Sequence, residues 1–90
     1  MQDQKKKLQI ILADIIKEYR LKQHKSISLI ANEINLSKSI WSDLEKGIKD
    51  PQISTLWRIA EALNISLSQI IKKLEIKAKD NINFIESIEE

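Results

Sequence analysis

The chain is 90 residues long, 42% hydrophobic and 31% charged, with one glycine, one proline and no cysteine. That length holds one modest core, and so few chain breakers leave little room for a hairpin-rich sheet, so an all-α chain is expected. The lack of cysteine removes disulfides and thiolate metal sites and fits a reducing cytoplasm.

The net charge of +2 is unevenly spread: residues 1–74 carry 13 Lys/Arg against 8 Asp/Glu, and residues 75–90 carry 2 against 5. A basic body with an acidic tail permits nucleic acid as a partner. The opening MQDQKKKLQIILADIIKE starts basic, but Gln9 and Asp14 interrupt its apolar run and no cleavage-site pattern follows. It reads as no signal peptide, and no segment reaches the roughly 18 apolar residues of a spanning helix.

Leu8, Ile11, Leu12, Ile15, Ile16 and Tyr19 recur at helical spacing, which predicts a first helix from about Lys6 to Lys22. Ser26 is a candidate N-cap for a short second helix holding Ile27, Ile30, Ala31 and Ile34, and Asn35 is the residue to end it. Ser37 then caps a third helix with Trp41 and Leu44 facing inward, and Gly47 ends it. The loop IKDPQ follows, its proline unable to continue a helix. Ile53, Leu56, Ala60 and Leu63 mark a fourth helix, broken at Asn64. Ser66 or Ser68 opens a fifth with Leu67, Ile70, Ile71 and Leu74. Residues 1–74 therefore read as one domain and residues 75–90 as an acidic extension. Ile82, Ile85 and Ile88 suit a short amphipathic helix there, although INFIES could also pair as a strand.

Helices two and three form a helix-turn-helix: Ala31 lies where they must approach closely, and Leu36 fills the turn. The third helix, within LSKSIWSDLEKG, keeps Lys38, Ser39, Ser42 and Asp43 off its apolar side. The plain alternative is an ordinary helical bundle whose third helix has a solvated face.

Residues 11–74 resemble the phage Cro/repressor (Xre-type) helix-turn-helix family, through IIKEYR, LIANEINLSKSIWSDLEKG and DPQISTLWRIAEALNIS. The shared pattern is an arginine ending helix 1, an alanine in helix 2, Glu-x-Gly closing helix 3, a proline, and Leu-x-x-Ile-Ala-x-x-Leu. The resemblance implies a five-helix, repressor-like domain that binds double-stranded DNA sequence-specifically as a transcriptional regulator, with no cofactor. It places helix 3 in the major groove, with Lys38 and Ser39, and one turn on Ser42 and Asp43, reading bases. Lys can donate to guanine O6 and N7, Ser can donate or accept, and Asp can accept from cytosine N4. Asp43 has a competing role, since a carboxylate is repelled by phosphate and Lys46 stands three residues on.

Phosphate contacts are expected from Ser26 and Ser37, from the N–H groups opening helix 2, and from Lys46 and Lys49. The resemblance also sets Arg20 against Glu45 as a structural ion pair. It implies a homodimer on a palindromic operator, joined around and after helix 5, for which Leu74, Ile82, Phe84, Ile85 and Ile88 are candidates. The tail is expected to pack on helix 5 or its counterpart, on the side opposite helix 3.

The chain departs from the family pattern at several positions. Ile27 stands where a phosphate-touching glutamine is usual, His24 and Asn35 where glycines are usual, and Lys25 where a hydrophobic residue precedes helix 2. Ile27 shares the face of Ile30 and Ile34 and reads as core. His24 reads as a loop residue with no partner for metal or catalysis. An enzyme is not expected: one histidine, no cysteine and no glycine-rich phosphate loop leave no nucleophile–base pair. The rival reading is a protein-interaction module using Ile27, Ile40 and Trp57, or an antitoxin-type regulator whose acidic tail binds a partner protein. Phage repressor, restriction–modification controller and antitoxin are not separated by this sequence.

Overall fold

Most helix ends fall where a specific residue stops the backbone. The computed structural model describes residues 2–85, with side chains from residue 4 onward. Its helices are α1 Gln2–Lys22, α2 Ile27–Glu33, α3 Lys38–Glu45, α4 Ile53–Ala62 and α5 Leu67–Ala78, followed by a 3-10 turn at Lys79–Asn81. The described residues contain no strand.

Three helices start on serine. The hydroxyls of Ser26, Ser37 and Ser66 accept from the N–H groups of Leu29, Ile40 and Gln69 at 3.1, 3.1 and 3.2 Å. Each cap contributes about 1 kcal/mol by satisfying a donor that the helix leaves free. Ser66, not Ser68, opens α5, because Gln69 returns the favour to the Ser66 N–H at 3.0 Å and completes a capping box.

Four helices end in the same way. His24, Asn35, Gly47 and Asn64 have φ of 55, 56, 74 and 59°. Just beyond them, the N–H groups of Lys25, Leu36, Ile48 and Ile65 reach back to the carbonyls of Arg20, Ala31, Asp43 and Ala60. This is the Schellman closure, which needs a left-handed residue and normally recruits glycine. With one glycine in the chain, asparagine and histidine fill the other three positions. Gly47 is the demanding one, since a Cβ there would lie 3.0 Å from Ile10 Cγ1 and 3.1 Å from Ile10 Cα.

The core joins Leu12, Ile15 and Ile16 of α1 to Ile30, Trp41, Leu44, Leu56, Ile59, Leu63 and Ile70. Each such buried side chain contributes roughly 1.5–3 kcal/mol before chain entropy is counted. Along the α1–α5 contact, Glu18 takes ion pairs from Lys73 and Lys77, and Lys73 also lies over the Tyr19 ring at 4.9 Å. The Lys73 hydrogen bond, then its charge, holds the Glu18 carboxyl below the ordinary carboxylate value, and the same bond raises Lys73.

Two boundaries differ from the sequence expectation. α1 starts at Gln2, not near Lys6. Its first turns lack an apolar stripe and are held from outside, by Lys6 and Gln9 on the carbonyls after α3. α5 runs four residues past Leu74 to a buried Ala78. Leu74 packs against the domain's own core and stays half-exposed. After Lys79, with φ of 23°, the chain turns toward α1, where the Asn83 N–H donates to Gln4 Oε1 at 2.9 Å. The start of the tail thus meets the amino end of α1, which also carries the α3–α4 loop. Phe84 and Ile85 are helical; Ile88 lies outside the described residues.

Candidate nucleic-acid interface

The α2–α3 angle is set by small contacts. Ala31 is 1% exposed at the crossing, and the Leu36 N–H donates to its carbonyl at 2.9 Å. Trp41 and Leu44 are buried and anchor α3 from below. A helix so anchored must turn its remaining face outward. Lys38 and Ser39 are exposed, and Ser42 and Asp43 half-exposed one turn on.

The hydroxyls of this face are only partly committed. Ser37 Oγ accepts from the Ile40 N–H at 3.1 Å and lies 3.2 Å from Ser39 Oγ. A capping hydroxyl has used an acceptor position and keeps its O–H for a donor role, so Ser37 and Ser26 can each still donate to an anion. Among the described residues, Lys38, Lys46 and Lys49 have no ion pair, and Asp43 does not pair with Lys46. Instead the Asp43 carbonyl accepts from the Lys46 and Ile48 N–H groups, an arrangement of the helix end. Ile27 is partly buried against the core and is not exposed apolar surface, whereas Ile40 and Trp57 are exposed.

Behind the face lies one buried charge pair. Arg20 Nε and Nη2 donate to Glu45 Oε2 and Oε1 at 2.5 and 2.9 Å, and Trp41 Nε1 donates to Oε2 at 2.6 Å. Arg20 Nη1 donates to the Lys25 carbonyl at 2.8 Å. The side chains of Arg20 and Glu45 are 10% and 6% exposed. The hydrogen bond to Glu45, assisted by its charge, raises the Arg20 guanidinium above its ordinary value against the opposing effect of burial. The pair therefore fixes α1, the α1–α2 loop and α3 in one arrangement.

Several positioning residues escaped the sequence pattern. Lys25 replaces the apolar residue expected before α2, and its ammonium reaches Glu33 Oε1 at 2.9 Å and the Ala62 carbonyl at 3.2 Å. Arg58 of α4 donates to the Ile34 carbonyl at the end of α2. Gln9 donates to the carbonyls of Gly47 and Ile48 at 3.4 and 3.1 Å. Gln9 left a trace in the sequence as a polar residue interrupting the apolar run of α1, and Lys25 as a departure from the family pattern; Arg58 left none.

The described residues hold no group of three or more His, Cys, Asp or Glu placed to bind a metal ion, and no helix long and apolar enough to cross a membrane. The chain is similar to the HTH-type transcriptional regulator SutR of Escherichia coli K12, at 32% identity over 60 residues, which is 67% of this chain and 34% of that protein. It is similar to the cryptic phage CTXphi transcriptional repressor RstR of Vibrio cholerae, at 25% identity over 79 residues, 83% of this chain and 71% of that one. It thus spans about a third of the first relative's length. The fold matches the crystal structure of the clp gene regulator ClgR from C. glutamicum with a TM-score of 0.71, at 21% identity over 74% of this chain and 86% of that one. It also matches an HTH_3 family transcriptional regulator from Vibrio cholerae with a TM-score of 0.70, at 28% identity over 76% of this chain and 38% of that one. Residues 16–70 match the helix-turn-helix family HTH_3, and with the α2–α3 geometry above, the chain belongs to that Xre-type helix-turn-helix family.

Proposed function

We propose that the protein is a sequence-specific, double-stranded-DNA-binding transcriptional regulator that acts as a repressor or autoregulator. The observation that carries this is the outward face of α3: Lys38 and Ser39 exposed at its amino end, on a helix held from behind by Trp41, Leu44 and the Arg20–Glu45 pair. Lys38, Ser39, Ser42 and Asp43 read base edges in the major groove. Ser26, Ser37, Lys46 and Lys49 hold the phosphates beside it. One domain of this size contacts few base pairs, so two copies pair on a palindromic operator. The exposed Phe84 and Ile85, with the half-buried Ile82 and with Ile88, supply that contact. No step calls for a cofactor or for catalysis, and the working compartment is the cytoplasm.

Affinity for duplex DNA measured against rising salt tests this reading. Binding through phosphates weakens steeply with salt; an apolar protein contact does not. A second reading, a module that binds a partner protein, is favoured by one feature. Trp57 is 58% exposed and, with Ile65, Leu67 and Ile71, lines a hollow of about 650 Å³ between α4 and α5. Salt-insensitive behaviour with no DNA retention would move the function there.

A further inference from the structure

We propose that Lys5 and Lys6, on the first turns of α1, form with Lys49 a second phosphate-binding edge that grips the DNA backbone outside the base pairs read by α3. This rests on the DNA-binding reading above. Both lysines lie before residues 16–70, the stretch that matches the family.

The placement comes from the tie between α1 and the α3–α4 loop. Lys6 Nζ is 3.4 Å from the Gly47 carbonyl, and Gln9 holds the Gly47 and Ile48 carbonyls from the next turn. The near-contact of Gly47 with the Ile10 backbone leaves this junction no slack. α3 has 8 residues, hence a length of about 12 Å, close to the roughly 12 Å width of the major groove. A helix of that length with its amino end at the base edges brings its carboxyl end to the rim of the groove, where the phosphates run. Lys5 and Lys6 flank that carboxyl end.

Their charge is poorly compensated. Asp3, one turn before Lys6, is the acidic residue nearest them in sequence, none follows before Asp14, and Lys6 makes no ion pair among the described residues. The ion pair Lys5 makes among the described residues is with Asp50 at 3.7 Å, with both side chains more than half exposed. Such a surface pair is weak and screened by salt, so phosphate can displace it. Lys7 provides an internal control. One residue further round the helix, it lines a hollow with Ile10, Ile11 and Asn81 and, among the described residues, makes neither the hydrogen bond nor the ion pair to the α3–α4 loop that Lys6 and Lys5 make.

The test uses a duplex carrying the sequence that the wild-type chain enriches from a random pool. One version is trimmed to the recognised base pairs, and another is extended by about ten base pairs on each side. On the long duplex, Lys5→Gln/Lys6→Gln should lower the slope of log affinity against log salt by about two for each protomer bound. It should match wild type on the trimmed duplex and prefer the same sequence. Lys7→Gln should change the slope by clearly less. Asp50→Asn, which frees Lys5 and removes a carboxylate facing phosphate, should tighten binding to the long duplex several-fold. A wild-type slope for the double variant, an equal loss from Lys7→Gln, or no gain from Asp50→Asn would each overturn the proposal while leaving the α3 reading intact. A wild-type chain that enriches no sequence and binds duplex without salt dependence would overturn both.

Discussion

Arg20 and Glu45 lie 25 residues apart and meet through two hydrogen bonds, at 2.5 and 2.9 Å, with side chains 10% and 6% exposed. Trp41 adds a third donor to the same carboxylate at 2.6 Å. Removing the carboxylate charge strands a buried guanidinium. Glu45→Gln should therefore cost roughly 3–5 kcal/mol in thermal or denaturant melts, while replacing both partners by apolar residues of similar volume should come near neutral. A loss below about 1 kcal/mol for Glu45→Gln would mean that the pair adds little to holding α3 in place.

The reading face makes a different kind of demand. Lys38→Ala or Ser39→Ala should cost roughly 1–3 kcal/mol on the preferred site and relax base preference there. Lys46→Ala or Lys49→Ala should weaken all sequences alike and lower the salt slope by about one each. Binding titrations on a matched and a mismatched duplex separate the two behaviours. An unchanged preference in Lys38→Ala would remove α3 from the role of reading element.

The helix ends carry a stability reserve. His24 holds φ of 55° on an exposed loop, a conformation in which a Cβ is strained. His24→Gly relieves that strain at some cost in unfolded-chain entropy, and the net gain should be about 0.5–1 kcal/mol in a thermal melt. A destabilised variant would show that the imidazole makes a contribution this backbone argument omits.

Much of this architecture was legible in the chain itself, because it rests on local chemistry. Ser26 and Ser37 announce helix starts, Asn35, Gly47 and Asn64 announce ends, and Trp41 and Leu44 fix which side of α3 is buried. What stayed hidden depends on distant partners. No periodicity reveals that Lys25 reaches the end of α4, that Arg58 caps the end of α2, or that Gln9 holds the loop after α3. Leu74 shows the same limit from the other side: an apolar residue at helical spacing reads alike whether a core or a partner covers it, and here the domain's own core covers only part of it. Lys38, Ser39, Ser42 and Asp43 were legible as the outward side of α3 because Trp41 and Leu44 fix its buried side.

The tail offers a prediction of its own. The Asn83 N–H on Gln4 ties it to α1, while Phe84 and Ile85 stay exposed. Deleting residues 79–90 should lower dimer affinity in sedimentation and weaken operator binding, while the remaining helices keep their cooperative melt. A truncated chain that dimerises as tightly as the full one would remove the tail from the interface.

Selection of bound sequences from a pool of random duplexes, with the full chain, tests the central claim most directly. The account predicts enrichment of a palindrome whose half-sites are centred about 34 Å, or roughly 10 base pairs, apart or at a multiple of that spacing. Retention of that palindrome should fall steeply as salt rises. A recovered pool no different from the input, with retention indifferent to salt, would contradict it.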